Sequence, residues 1–110
     1  MALPETDIHR IHLWAREQWP EHMWDEVKVE ADVADRHVDL VEVRPPWDGV
    51  GAPLRDSVAR LRYTKSTGLW AIYWRDRHLK FHHYKRKRPN KNVQTLLDWI
   101  ADGGDPIFWG

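Results

Sequence analysis

Val58-Ala-Arg-Leu-Arg-Tyr-Thr-Lys65, Ser66-Thr-Gly68 and Leu69-Trp-Ala-Ile-Tyr-Trp-Arg75 decide the fold. The flanking runs are rich in aliphatic and aromatic residues, and Ser-Thr-Gly supplies turn chemistry, so the three pieces predict an antiparallel pair. In the second run Trp70, Ile72 and Trp74 share one face, and Leu69, Ala71 and Tyr73 the other, because side chains alternate along a strand. Large groups on both faces require cover on both. Asp76-Arg77 forms the next turn, and His78–Lys85 extends the pair to a three-strand meander.

Upstream, Val27, Val29, Ala31 and Val33 alternate with Lys28, Glu30 and Asp32, the pattern of a half-buried strand. Asp35-Arg36 makes a turn and His37–Arg44 a second strand, which Pro45-Pro46 stops. Residues 45–57 form a long loop rich in Pro and Gly. Toward the N-terminus, residues 5–24 read as a helix. Ile8, Ile11, His12, Ala15 and Trp19 lie on its buried face, with Trp14 off that stripe. Thr6 or Asp7 is its predicted cap, and Pro20 ends it or begins a second short turn. After the meander, Arg86–Asn92 is a basic linker. Asn92 caps a helix over Val93–Ala101 whose Val93, Leu96, Leu97 and Ile100 face inward, and Gly103-Gly104 ends it. The order predicts one α+β domain over residues 1–110, an antiparallel five-stranded meander sheet flanked by an N-terminal and a C-terminal helix.

The size suits one domain: 110 residues, 42% hydrophobic and 31% charged. Cys is absent, which excludes disulfides and Cys-ligated zinc. No apolar run reaches the roughly 18 residues of a membrane span. The start, from Met1 to Arg10, has neither a basic leader nor an apolar core, so a cytoplasmic protein is expected. Lys plus Arg and Asp plus Glu are equal at 17 each, yet they are unevenly placed. Residues 1–54 hold 5 basic and 12 acidic side chains, and residues 55–110 hold 12 basic and 5 acidic. Such asymmetry points to nucleic acid or an acidic partner, or to halves that neutralise each other within a monomer or across a homodimer.

The densest basic segment carries Arg75, Arg77, Lys80, Lys85, Arg86, Lys87, Arg88 and Lys91, the predicted phosphate contacts. Trp70, Tyr73 and Trp74 are the predicted stacking residues, bordered by Arg60, Arg62, Lys80 and Arg86. The alternative for these aromatics is plain core packing. In the second strand Val38 and Leu40 are followed on the same face by Glu42 and Arg44. Either an ion pair sits on the apolar side or a bulge intervenes. A structural Glu42–Arg44 pair is the expectation. The sharper alternative, a site of Asp39, Glu42 and Arg44 patterned like a metal-dependent nuclease, is weakened by Asp39 and Glu42 facing opposite ways. No His cluster, nucleophile elbow or phosphate-binding Gly loop is present, so no catalytic residue, metal or cofactor is assigned. Phe108 and Trp109 beside Gly110 are expected to dock, with the terminal carboxylate near an Arg.

The run from Arg60 to Tyr84, the upstream Val41-Glu-Val-Arg-Pro-Pro-Trp47 and the closing Ile107-Phe-Trp-Gly110 resemble the bacterial Domain of Unknown Function 3024 family across nearly the whole chain. The resemblance implies a stand-alone intracellular bacterial module and transfers no activity. The leading expectation is a non-enzymatic module, dimeric, that binds nucleic acid or another polyanion. The alternatives are a homodimeric interaction protein with complementary acidic and basic halves, and a minimal metal-dependent nuclease.

Overall fold

The structure, a computed structural model, describes residues 3–103 and 105–109. Helix α1 spans Glu5–Glu17 and is followed by a short 3-10 turn at Glu21–Met23. Strands β1 (Lys28–Val33), β2 (His37–Arg44), β3 (Leu54–Thr64), β4 (Leu69–Arg75) and β5 (Phe81–His83) follow, and helix α2 (Val93–Ala101) closes the order. The strands form one antiparallel sheet in the order β1-β2-β3-β4-β5. The α+β meander read from the sequence is therefore the architecture.

Several boundaries differ, each for a local reason. The N-terminal helix ends at Glu17, not at residue 24: Pro20 cannot donate a backbone hydrogen bond, and the chain restarts as the 3-10 turn. Its N-cap is Pro4 with no side-chain cap, because Asp7 accepts a hydrogen bond from Trp70 Nε1 at 2.9 Å instead. Trp14 is buried and His12 exposed, the reverse of their predicted places. Strand β3 begins at Leu54, inside the predicted loop, and β5 keeps only Phe81–His83. The predicted Gly104 terminator and the contact of the Gly110 carboxylate lie outside the described residues; Gly103, at φ +66°, adopts the left-handed conformation that ends α2.

Both helices and the tail cover one sheet face. There Val29, Val38, Leu40, Leu61, Trp70 and Ile72 meet Ile11, Trp14, Leu96, Leu97 and Ile100 in one core. The tail belongs to it. Phe108 is buried against Tyr84 with ring centroids 4.9 Å apart, and Trp109 Nε1 donates to the Ile100 carbonyl at 2.8 Å.

A bulge lies opposite the conflict in β2 but does not turn its side chains over, since β2 pairs with β1 without a shift. Leu40 pairs with Ala59 and Val41 with Ser57, so Val58 is the extra residue on β3. Beyond it Glu42 and Arg44 bond along their own strand at 2.9 Å, with Arg44 51% exposed. The pair exists, and register sets Glu42 on the helix-side face with Val29 and Leu40, at a rim where Arg44 is open to solvent.

Candidate functional site

Among the described residues the opposite sheet face carries no helix. Register assigns to it Glu30 and Asp32 from β1, His37 and Asp39 from β2, Arg55, Arg60 and Arg62 from β3, Tyr73 from β4, and Phe81 and His83 from β5. Its two sides are built differently.

On the β1 side, Arg55 holds Glu30 at 2.7 Å and Asp32 at 2.6 Å. Strands β1 and β3 are not neighbours, so this bridge passes over β2 and roofs Val41 and Val43, both buried. Long charged side chains covering apolar groups with their stems do here what a helix does on the other face. The Arg55 guanidinium holds the Glu30 carboxyl below its usual range.

On the β5 side, Arg60 meets Asp39 through two bonds, 2.7 and 3.1 Å, and lies over the Phe81 ring at 3.7 Å. Tyr73 and His83, cross-strand partners, pack with ring centroids 5.4 Å apart and planes tilted by 40°. Around these rings Arg36, His37, Arg60, Arg62, Tyr73, Lys80 and Phe81 line a groove of about 510 Å³. A second hollow of about 400 Å³, lined by Tyr63, Thr64, Lys65 and Ser66, shares Arg36 and Arg62 with it. The two adjoin through these shared side chains and are together termed the trench. Among the described residues Arg36, Arg62 and Lys80 have no carboxylate partner, so the rim is cationic while Arg60 is neutralised. Burial, with Arg60 and Arg62 nearby, holds the His37 imidazole below its ordinary value despite the opposing pull of Asp39.

Asp76 sets the position of Lys80. One carboxylate oxygen accepts the backbone N–H groups of His78 (2.8 Å) and Lys80 (3.0 Å); the other meets His82 Nε2 at 2.6 Å. The His82 bond chiefly lowers the Asp76 carboxyl to about 2. Leu79 in the same turn has φ +66°, a conformation uncommon outside Gly.

The sequence-predicted basic residues do not converge. Of the eight, Lys80 alone lines the groove. Arg75 borders a separate notch of about 380 Å³ with Glu42, Asp56 and the tail. Arg77 is exposed in the β4–β5 turn, and Lys85, Arg88 and Lys91 are exposed beyond β5. Arg86 reaches Asp105 at 3.3 Å but is 74% exposed, and Lys87 sits over the Trp99 ring at 5.0 Å.

The aromatic expectations divide. Tyr73 lines the groove. Trp70 does not: it is fully buried beneath the helices with its N–H donated to Asp7, so no base can reach it. Trp74 lies on the helix side, half-buried against the core and packed on His82 at 4.8 Å. Asp39 and Glu42 face opposite sides of the sheet, and Asp39 is taken by Arg60. Sequence reading missed Arg36, His37 and Phe81 as groove residues. The signal that finds them is cross-strand pairing, which sets His37 opposite Arg62, ties the Arg36 carbonyl to the Tyr63 N–H, and places Phe81 on the strand beside Tyr73.

Among the described residues no group of three His, Asp or Glu is placed to hold a metal ion, and no helix is long and apolar enough to cross a membrane. No curated protein and no solved structure matches the chain. One family model does, over residues 2–110, and the chain therefore belongs to the family described as Domain of unknown function (DUF3024).

Proposed function

We propose that this protein is a non-enzymatic binding module for nucleic acid or a related polyanion, and that the trench on the open sheet face is its binding surface. The observation that carries this reading is the cationic rim of Arg36, Arg62 and Lys80 around Tyr73 and Phe81. Unpaired cations beside a groove attract phosphates, and their counterion release makes affinity fall with salt. The exposed cations beyond β5, Lys85, Arg86, Arg88 and Lys91, extend the positive field at the sheet edge and serve encounter rather than docking.

The homodimer of complementary halves is the second reading. Arg55 with Glu30 and Asp32, and Arg60 with Asp39, join the basic half to the acidic half within one chain, which leaves less charge to drive self-association. The nuclease reading has the least support, since its two carboxylates sit on opposite faces. A cytoplasmic bacterial setting fits the first reading.

The test is a titration of labelled oligonucleotide and of heparin at about 50 mM salt, where nonspecific electrostatic binding is strong, and again at about 200 mM. Wild type should bind at the lower salt and weaken at the higher. The Arg62→Glu/Lys80→Glu variant should lose at least tenfold in affinity at either salt. Absence of wild-type binding to both probes at the lower salt would sink the proposal.

A further inference from the structure

Resting on that reading, we infer that the preferred ligand is a single-stranded nucleic acid whose bases stack inside the groove while its phosphates meet the rim. The distinction from a generic polyanion lies in how the groove is furnished. A site for sulfated sugars or polyphosphate needs cations alone. Here the rings of Tyr73, Phe81 and His83 stand on two adjacent strands of one uncovered face.

Arg60 adds to this stacking surface. Its two bonds to Asp39 fix the guanidinium in orientation and cancel its charge, and the same group lies on Phe81 at 3.7 Å. Aromatic rings and guanidinium planes are the surfaces on which unpaired bases stack. The charges left unpaired stand around the rings, on the β1–β2 turn (Arg36), on β3 (Arg62) and on the β4–β5 turn (Lys80). Apolar planes within and free cations outside match a strand that turns its bases inward and its phosphates outward.

A duplex presents the reverse, with bases stacked on one another and phosphates outermost, so it reaches the rim but not the rings. From β2 to β5 the groove crosses three inter-strand steps, about 14 Å, a breadth comparable to sheets on which two or three bases are stacked. Three rim cations set the salt response: log affinity for a single strand should fall with log salt at a slope of about −2.

The experiment compares four probes by fluorescence anisotropy: a single-stranded oligonucleotide of about ten nucleotides, the blunt duplex of the same sequence, heparin and poly-glutamate. Wild type should bind the single strand at least tenfold more tightly than the duplex. Tyr73→Ala should weaken single-strand binding about fivefold to a hundredfold, the range for losing one base stack, and leave heparin binding within twofold. Tyr73→Phe should restore the single-strand affinity. Tyr73→Leu, which keeps apolar bulk without the ring, should behave like the Ala variant and guards against a simple folding loss. Duplex binding as tight as single-strand binding, poly-glutamate binding tighter than either, or equal losses for heparin and single strand in Tyr73→Ala would overturn the inference while leaving anion binding in place. Failure to bind any of the four would remove both.

Discussion

The two faces of the same five strands are covered by different means. Beneath the helices Val29, Val38, Leu40, Leu61, Trp70 and Ile72 form an apolar patch, and α1, α2 and the tail close over it. On the other face the β1 side is closed by Arg55 and its two carboxylates, whereas the β5 side is left with rings and unpaired cations. A sheet needs one apolar face to fold. Its second face is free to take a ligand, provided its charges are paired where no ligand will sit. The comparison assigns stability to the first face, the proposed function places recognition on the second, and substitutions on each should separate the two.

The largest loss should come from Trp70→Ala. It empties the largest fully buried side chain and leaves Asp7 without its donor. Urea unfolding should show a destabilisation of about 4–5 kcal/mol, the upper range for a buried aromatic. Phe108→Ala should cost about 3 kcal/mol, since its ring is buried against Tyr84 although it lies near the end of the chain. A stability unchanged by Phe108→Ala would show that the tail does not belong to the apolar face.

Glu42→Ala tests the solvent rim of the helix-side face. Its partner Arg44 is half-exposed, so the cost should stay below about 1 kcal/mol. A buried pair would have cost about 3–5 kcal/mol, and chemical denaturation separates the two values.

A pH effect should be smaller still. The native His37 value lies below its ordinary 6.5, through burial first and then Arg60 and Arg62. Below that ordinary value the unfolded chain holds a proton that the native state resists. Stability should therefore rise with pH across the acidic side of 6.5 and level off above it. His37→Gln should flatten this slope in melting temperatures taken between about pH 5 and about pH 7. An identical slope in the variant would show that burial and the groove cations do not hold His37 below its ordinary value.

The apolar face was legible because its pattern is local. Val93, Leu96, Leu97 and Ile100 repeat at helical spacing, and Trp70 with Ile72 repeats at strand spacing. Trp19 continues the apolar stripe toward residue 24, but the helix ends at Glu17 and a short turn restarts after Pro20, the break that its missing N–H predicts. The groove was only partly legible. Arg60, Arg62 and Lys80 were visible as cations near aromatics, but Arg36 and Phe81 join them only through pairing between distant segments. The Val58 bulge shifts that register by one residue, and nothing in the local sequence marks it. The cations at residues 85–88 are contiguous in the sequence, whereas the groove cations are scattered along the chain.

Two charge-matched triple variants test the division of labour most directly. Arg36→Ser/Arg62→Ser/Lys80→Ser removes three rim cations, and Lys85→Ser/Arg86→Ser/Arg88→Ser removes three from the edge loop. Both lower the net charge equally, and exposed substitutions of this kind shift stability by only about 0.5 kcal/mol each. Affinity for the single-stranded oligonucleotide, measured side by side at one salt concentration, should fall at least tenfold further in the groove variant than in the loop variant. Equal losses would mean that the protein attracts anions through net charge alone. A larger loss in the loop variant would move the binding surface from the open sheet face to the edge beyond β5.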